Sequence, residues 1–247
     1  FNLIGKPYRR VDGADKSTGR TIYADDFRAP RMVHMKLARA TVPHARIKAI
    51  NTDAAEQVEG VLHILTGKDM PNTFGILPVS QDEHPLAIEL VRHVGEPVVA
   101  ICALTEDAAA EAALLVEVDY EVLPTVGSVQ EALDTPTPQI HDYADEGNIH
   151  KKISMQFGDV DEGFEEADLI LENTCLYGGN THMAMEQHAT VALPEADGRL
   201  TLYSSTQTPH YLHRSLAKVL EMPAARIRVI AAPNGGGFGG KSDPFNH

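Results

Sequence analysis

The sequence lacks the features that would place it among membrane, secreted or iron–sulfur proteins. It contains no tryptophan, only two cysteines (Cys102 and Cys175), and no apolar run long enough to span a bilayer. Two cysteines exclude a disulfide framework and a cysteine-ligated iron–sulfur cluster within this chain. No secretory signal opens the chain, so we expect a protein of the reducing cytoplasm that has no membrane contact.

An excess of basic residues is also missing. The 247 residues include 35 acidic and 21 basic side chains, which gives a formal net charge of −14 at pH 7. A surface of this sign repels phosphates, so we expect no nucleic-acid partner. Hydrophobic residues make up 43% and charged residues 23% of the chain. This is the usual mixture of a soluble globular protein, and the length suffices for one large domain or two ordinary ones.

The two ends of the sequence look unlike natural termini. The first residue is Phe1 rather than methionine, so we expect a short leader to be missing. The last residues, from Pro244 to His247, contain no helix stop and no polar tail. We expect the C-terminus to be a cut, the end of a separate gene, or the limit of the ordered chain.

The first half of the chain predicts a mixed α/β domain. A polar stretch at residues 11–23 is expected to be extended. Thr105 is the expected N-cap of an alanine-rich helix. At 116–122, valine and tyrosine alternate with acidic residues, which is typical of a half-buried strand. Short apolar segments predict further strands at 32–37, 43–47, 61–65 and 98–102. Strands with a helix before the last one indicate a mixed domain over roughly the first 125 residues.

The second half predicts a new unit behind a linker. Residues 133–147 contain prolines, which favours a linker. Asp159, with Glu162 three residues later, resembles a capping box ahead of a short helix. A second helix is expected from Pro209, with an apolar face formed by Leu212, Leu216, Val219 and Leu220. Strands are predicted at 169–176, 189–193, 200–204 and 226–231.

The most unusual feature is the glycine-rich run from Gly235 to Gly240 (GGGFGG), directly after the last predicted strand. With almost no side chains, its backbone N–H groups can approach a ligand closely. Such a run suits a site where main-chain donors hold oxo or phosphate oxygens. A plain glycine-rich turn without a ligand is the alternative.

The same run formally satisfies the P-loop pattern. Gly235, Gly240, Lys241 and Ser242 stand at the required positions of G-x-x-x-x-G-K-S. A nucleotide-binding P-loop needs a helix that starts near Lys241, and Pro244 suits such a helix only in its first turn. This hypothesis predicts ATP binding.

A second polar segment, residues 178–188 (GGNTHMAMEQH), lies between two predicted strands, where site residues often occur. His182 with His188, or His210 with His213 further along the chain, could be metal ligands. Their spacing fits no standard zinc site, so we interpret these histidines as structural. We expect Glu186 to accept hydrogen bonds from backbone amides rather than to act as a buried acid.

Taken together, these segments resemble the large subunit of the molybdenum hydroxylases, the xanthine dehydrogenase and aldehyde oxidase family. Its α/β-hammerhead domain is resembled by RVDGADKSTGRTIYADD, TVPHARI and VGEPVVAICALTEDAAAEAALLVEVDYEVLP. The first half of its molybdopterin-binding region is resembled by GDVDEGFEEAD, GGNTHMAMEQHATVALP, STQTPH and RIRVIAAPNGGGFGGKSD. The resemblance covers essentially the whole chain, and it depends on the order and spacing of these blocks.

The resemblance implies an α+β fold with four parts. Residues 1–16 lead into the fold, 17–125 form an α/β-hammerhead domain, 126–155 form a linker, and 156–247 form the first part of a molybdopterin-binding domain with mixed sheets. It also implies that molybdenum is held through a pterin, the molybdopterin cofactor, and not by a direct protein ligand in this chain. Iron–sulfur and FAD modules on partner subunits would pass the electrons on.

Matching the family motifs residue by residue assigns a cofactor site. Asn180 falls where many members carry a glutamine that hydrogen-bonds a molybdenum-bound oxygen, and its shorter side chain keeps the donor but has less reach. Phe238 matches the ring beside the metal, and Glu186 matches a position that supports the loop. The cofactor-binding backbone of this loop is assigned to Gly236, Gly237, Phe238, Gly239 and Gly240.

Ser242 indicates what the substrate is not. In purine-oxidising members a glutamate follows the lysine and binds the heterocycle, so a serine there makes xanthine a poor candidate. We place Phe238 and Ser242 in the substrate pocket. The KSDPF ending and the LPVSQDEHPL loop resemble the 4-hydroxybenzoyl-CoA reductase branch, which removes a phenolic hydroxyl from an aromatic CoA thioester. A dehydrogenase of aldehydes or N-heterocycles is the alternative.

The general base of the family is a glutamate near the far C-terminus of the subunit, and no residue of this sequence matches it. Glu96 stands in a superficially similar VGEP string, but its surroundings belong to the hammerhead domain. We therefore assign no catalytic residue to this chain. We expect it to share the molybdenum site with the remaining molybdopterin-binding region or with a second large chain.

A cofactor-free interaction module, which keeps the fold for assembly, is the competing hypothesis. The intact glycine run favours a cofactor site, because ordering glycines costs conformational entropy that a bound ligand would offset. Asn180 and the missing general base favour the module.

Overall fold

The protein is described by a computed structural model over residues 2–78, 80–134, 138–142 and 147–244. The chain divides into two compact units. The first combines Phe1–Leu123 with His182–His247, and the second comprises Pro124–Thr181. In the described part of the chain, no helix is long and apolar enough to cross a membrane.

The described residues contain nine strands, six α-helices and three short 3-10 turns. The strands are β1 (His34–Arg39), β2 (Ala45–Asn51), β3 (Val61–Thr66), β4 (Leu90–Val91), β5 (Pro97–Ala103), β6 (Glu117–Val122), β7 (Thr190–Pro194), β8 (Leu200–Ser204) and β9 (Ile227–Ala231). The α-helices are α1 (Gly13–Ser17), α2 (Asp53–Glu56), α3 (Glu106–Leu114), α4 (Val129–Asp134), α5 (Val160–Glu165) and α6 (Pro209–Val219). Short 3-10 turns lie at Ala24–Asp26, Gly67–Asp69 and Ala224–Arg226.

Two antiparallel sheets form the core of the first 123 residues. β5 is the centre of the sheet β1-β5-β3, and β2 is the centre of the sheet β4-β2-β6. Val98, Val99 and Ile101 of β5 are fully buried. Because successive side chains of a strand point to opposite faces, β5 is covered on both faces, which explains its continuous apolar sequence.

Helix α3 covers the sheet around β5. Thr105 caps this helix as predicted, since its hydroxyl oxygen accepts the backbone N–H of Ala108 at 3.1 Å. Ala108, Ala109 and Ala112 are buried on the face of the helix that meets the strands. Their small side chains allow the helix to pack closely on the sheet.

The third sheet has the order β7-β8-β9 and contains a parallel pair, β8 with β9. Parallel strands need a crossover connection, and α6 provides it. Leu212 of α6 is buried, and His213 Nε2 lies 3.0 Å from the carbonyl of Ala224 and 3.1 Å from that of Ile227. These contacts fix the helix to the start of β9. The carboxyl ends of β8 and β9 consequently lie at the same edge of the sheet.

The periodic segments of the sequence form the predicted elements. The strands expected near residues 32–37, 98–102 and 116–122 are β1, β5 and β6, and the helix expected from Pro209 is α6. The N-cap of α5 is also confirmed, because Asp159 accepts the backbone N–H groups of Asp161 and Glu162, but among the described residues Glu162 does not complete the predicted capping box. The expected α+β fold is therefore confirmed.

Local predictions failed where the decisive contacts could not be read from periodicity. The supposedly extended stretch at 11–23 contains α1, whose first turn is held by an ion pair of 2.7 Å between Asp12 and Lys16. The strand predicted at 169–176 is not formed, because no segment of the described residues pairs with it. Helix α4 lies within the proposed linker 126–155 and was not predicted.

Parts of three sequence features lie outside the described residues. They are 135–137 and 143–146 of the linker, Val79 of the LPVSQDEHPL loop, and Phe245 of the KSDPF ending.

Replacing Ile101 with alanine tests the central position of β5. Ile101 is 0% exposed, so Ile101→Ala should lower the free energy of unfolding by about 2–5 kcal/mol. Met35→Ala on the neighbouring strand is the control, because Met35 is 54% exposed and should cost no more than about 0.5 kcal/mol. Urea denaturation of both variants measures the difference, and equal losses would contradict the proposed core.

Candidate active site

The glycine loop begins just beyond β9, at the carboxyl edge of the third sheet. Gly236, Phe238 and Gly239 have φ angles of 110°, 51° and 90°. Glycine adopts such angles readily, whereas a phenylalanine in the left-handed region is strained and needs support from its surroundings. The Phe238 side chain is 74% exposed. The loop therefore holds an aromatic ring outward on a constrained backbone.

At Gly235 and Gly237, other side chains lie close to where a Cβ would be. A Cβ at Gly235 would lie 2.6 Å from the Cβ of Glu186, and a Cβ at Gly237 would lie 2.5 Å from Oε1 of Gln207. Both distances are shorter than real carbon atoms tolerate. Glu186 and Gln207 thus occupy the space that side chains would fill in an ordinary loop.

Glu186 anchors the beginning of the loop. Its Oε2 accepts the backbone N–H of Gly235 at 2.8 Å and lies 2.6 Å from Nζ of Lys241. The Lys241 side chain is 2% exposed and that of Glu186 is 12% exposed. Glu186 therefore accepts a backbone amide and supports the loop, as the sequence predicted.

Gln207 supports the other end of the loop. Its Oε1 accepts the backbone N–H groups of Gly239 at 3.1 Å and Lys241 at 3.2 Å, and its own backbone N–H donates to the Lys241 carbonyl at 2.8 Å. Among the described residues, the amide nitrogen of Gln207 has no hydrogen-bond partner. The side-chain oxygen of Gln207 is thus bonded to the loop, and its N–H groups remain able to donate to a ligand.

Sequence reasoning quoted Gln207 within STQTPH but gave it no role. A usable signal was present, because Gln207 follows β8 and the glycines follow β9. Residues beyond the carboxyl ends of neighbouring parallel strands meet at one edge, where α/β proteins place their ligands. The parallel pairing of these two predicted strands was the missing step.

The structure brings most of the predicted site residues together. Gly236 to Gly240 form one loop, and Ser242 follows it, with its N–H donating to the Gly239 carbonyl at 3.1 Å and its carbonyl accepting the Thr208 hydroxyl. Asn180 belongs to the second compact unit, where it is exposed and its Oδ1 accepts the N–H of Thr181 at 2.8 Å. Its assignment to the cofactor remains a prediction.

The P-loop hypothesis is wrong. Lys241, which would have to reach phosphates, is buried and paired with Glu186. No helix begins at Lys241 within the described residues, which end at Pro244. The lysine therefore supports the loop from inside the protein.

Two of the histidines interpreted as structural, His188 and His213, contact backbone carbonyls. His188 Nε2 lies 2.9 Å from the carbonyl of Gly240, and His182 lies against the same glycine. His213 contacts two carbonyls at the start of β9, while His210 is exposed. Carbonyl contacts of this kind are typical of structural histidines. In the described part of the chain, no three His, Cys, Asp or Glu side chains form a group that could hold a metal ion.

Glu96 has a structural place in the hammerhead region. Its carboxylate accepts the backbone N–H of Arg92 and lies 3.7 Å from Nδ1 of His93, which closes the turn between β4 and β5. Burial, and to a lesser extent the charge of Glu96, raises the pKa of Tyr120. Glu96 therefore supports this turn.

Substitutions at Gly235 and Gly237 test whether the contacts of Glu186 and Gln207 with the loop exclude a side chain at these positions. Gly235→Ala should destabilise the protein by about 1–3 kcal/mol, because the added methyl group meets the Cβ of Glu186. Gly237→Ala should cost less, since the contact there is with the end of the flexible Gln207 side chain, which can rotate away more easily than a Cβ can. Gly163→Ala is the control, because nothing lies within 4 Å of its Cβ position. Thermal unfolding of the three variants gives the ranking, and a neutral Gly235→Ala would contradict it.

Two family models match the chain and together cover most of it. The aldehyde oxidase and xanthine dehydrogenase a/b hammerhead domain matches residues 18–124. The molybdopterin cofactor-binding domain matches residues 140–247. The boundary between the matches lies between β6 and α5, and the glycine loop falls in the second domain.

Similar proteins have the same two regions in larger chains. A probable xanthine dehydrogenase subunit of Bacillus subtilis is 38% identical over 98% of this chain and 32% of its own length. The nicotinate dehydrogenase large molybdopterin subunit of Eubacterium barkeri is 35% identical over 98% of this chain and 56% of its own length. The crystal structure of quinoline 2-oxidoreductase from Pseudomonas putida 86 matches with a TM-score of 0.84 and 28% identity, over 98% of this chain and 32% of that one.

The chain spans about a third to just over half of these relatives. Within that span the similarity is continuous through the hammerhead sheets and the glycine loop. The chain therefore belongs to the molybdenum hydroxylase family of xanthine dehydrogenases and aldehyde oxidases.

Proposed function

We propose that this chain provides the glycine-loop side of the molybdopterin site in a molybdenum hydroxylase-type oxidoreductase. The observation that carries the proposal is the pairing of Gln207 with the loop at the carboxyl edge of β8 and β9. That edge presents backbone N–H groups, one amide and one exposed ring, and it presents no charged side chain from the loop itself.

The residues at the loop fit an oxygen-rich, hydrogen-bonding cofactor. At Gly239 the one side-chain atom near the Cβ position is Nε2 of His182 at 4.0 Å, so a ligand can approach the backbone there. In the described part of the chain, Oε1 of Glu186 and Oδ1 of Asn234 are buried without a hydrogen-bond partner. Buried acceptors normally have a donor, so the loop has capacity for a bound water or ligand group.

The loop from Gly236 to Gly240 would hold the cofactor, with Phe238 beside it. We assign to Gln207 the amide-donor role that the family resemblance suggested for Asn180, because Gln207 is attached to the loop and has free N–H groups. When bound, the molybdenum cofactor supplies the two-electron redox chemistry. This chain binds and orients the cofactor, and the proton-accepting base is expected from another part of the protein.

The partners follow from the same proposal. A site built on one loop needs the remaining molybdopterin-binding region or a second large chain to complete it. Electrons that leave the cofactor need carriers, and the iron–sulfur and FAD subunits expected from the family resemblance would supply them. A cytoplasmic location is kept as a prediction.

For the substrate class we favour N-heterocyclic aromatic rings. The names of three similar proteins refer to xanthine, nicotinate and quinoline. Ser242 lacks the carboxylate that the family resemblance associates with purines, so nicotinate-like rings suit the site better than xanthine does. The 4-hydroxybenzoyl-CoA interpretation of KSDPF and LPVSQDEHPL is the second candidate, and none of these three relatives carries that name.

Elemental mass spectrometry of the natively purified complex tests the proposal first. Near-stoichiometric molybdenum, together with a second large polypeptide or a longer form of this chain, is the expected result. Nicotinate-like heterocycles and aromatic CoA thioesters should then be assayed side by side. Molybdenum absent from a folded sample that retains its partner chains would contradict the proposal and favour the cofactor-free assembly module.

Gln207→Leu tests the amide at the loop. The substitution removes both the acceptor for Gly239 and the free N–H groups, so molybdenum retention or turnover should fall by about ten- to a hundred-fold. Gln57→Leu is the control, since Gln57 is exposed in the hammerhead region. The measurement is molybdenum content with the Mo(V) electron paramagnetic resonance signal after partial reduction. An unchanged content and signal would remove Gln207 from the site.

A further inference from the structure

The buried ion pair under the glycine loop is not explained by stability alone. Lys241 and Glu186 are separated by 2.6 Å, and their side chains are 2% and 12% exposed. Taking two charges out of water is costly, and apolar side chains of similar volume often stabilise a fold equally well. Because such a pair adds little to the stability of the fold compared with apolar packing, we expect a role that apolar side chains cannot perform.

Glu186 fixes where the loop starts. Besides Lys241, its Oε2 accepts the N–H of Gly235 at 2.8 Å, and its own N–H lies 3.4 Å from the Gly235 carbonyl. No Cβ fits between the two residues. The same carboxylate oxygen, Oε2, accepts from the backbone N–H of Gly235 and from the ammonium group of Lys241, so it holds these two donors close together.

Lys241 fixes where the loop ends. It follows Gly240 directly, and its N–H and carbonyl both bond Gln207. Its side chain returns beneath the loop to Glu186. The first and the last residues of the segment from Gly235 to Lys241 are therefore joined through one carboxylate.

We propose that Glu186 and Lys241 are positioning residues that hold the two ends of the glycine loop together and so direct Phe238 and Gln207 toward the cofactor. The cofactor part of this role rests on the proposed function. Neither side chain is exposed enough to meet a substrate, so both act through the loop. Phe238 needs such support, because a non-glycine residue keeps a left-handed backbone only when its surroundings over-determine it.

The test compares two double variants in the natively purified complex. Glu186→Gln with Lys241→Met removes both charges at similar volume, so no buried charge is left unpaired. Glu106→Gln with Lys36→Met is the matched control, because that pair has a similar separation of 2.7 Å but is exposed on the surface. Hydrogen–deuterium exchange of residues 231–244 and of β5, molybdenum content and the Mo(V) signal are measured for both.

In the buried-pair variant, amide exchange of the loop should rise at least about tenfold while exchange in β5 stays unchanged. Bound molybdenum should fall by about ten- to a hundred-fold, or the Mo(V) signal should become heterogeneous. The control should match the wild type. Loop exchange and Mo(V) signal equal to those of the wild type would overturn the proposal, and so would a rise in exchange spread equally over β5.

Glu186→Asp keeps the test decisive if the double variant does not fold. It retains the negative charge, which the flexible Lys241 side chain can follow, but draws the shared oxygen back from the backbone N–H of Gly235. Amide exchange at the start of the loop should therefore rise in a folded protein, and unchanged exchange there would overturn the proposal. Loop exchange that rises as expected in a complex without molybdenum would overturn the proposed function while supporting the role of the pair in the loop. Failure of the two ideas is thus distinguishable.

Discussion

The parallel pairing of β8 with β9 is the constraint on which the candidate site depends. Its register joins Leu200 to Ile227 and Ser204 to Ala231, so both strands end together. Whatever follows them must meet at one edge, and the chain places Gln207 after one strand and the glycines after the other. The crossover helix α6 maintains this arrangement through its buried Leu212 and its contacts to the start of β9. The site is thereby a product of sheet topology before any ligand is considered.

Beneath this edge the protein uses hydroxyl groups where the hammerhead sheets use aliphatic side chains. Ser204, Ser205 and Thr206 are at most 1% exposed. The Ser205 hydroxyl accepts the N–H of Ala189 at 3.0 Å, and the Thr206 hydroxyl accepts the N–H of Thr208 at 3.0 Å. Apolar contacts tolerate small displacements, whereas hydrogen bonds have preferred distances and angles. The buried hydroxyl groups thus fix the position of the backbone below the loop more precisely than aliphatic side chains would.

Elements whose causes are local could be predicted from the sequence. The Thr105 cap, the alternation of β6 and the apolar face of α6 each depend on a few neighbouring residues. Features with distant causes were missed or misplaced. Lys241 fits a P-loop pattern, but Glu186, 55 residues earlier, determines where its side chain lies. The segment 169–176 has the composition of a strand, yet a strand exists only with a partner to pair with. The contacts of Gln207 with the loop were missed because they depend on the pairing of two strands and not on a motif.

The left-handed backbone at Phe238 has a consequence for how the site can diversify. The strain lies in the backbone of Phe238, and the residues on either side of it hold that backbone in place. The choice of side chain at this position therefore has little effect on the rest of the loop. Unbranched or aromatic replacements can be accepted at modest cost, whereas valine and isoleucine, which crowd a positive φ, are disfavoured. A lineage could therefore change the surface met by an incoming molecule through single codon changes at one position, while the framework that presents it stays intact.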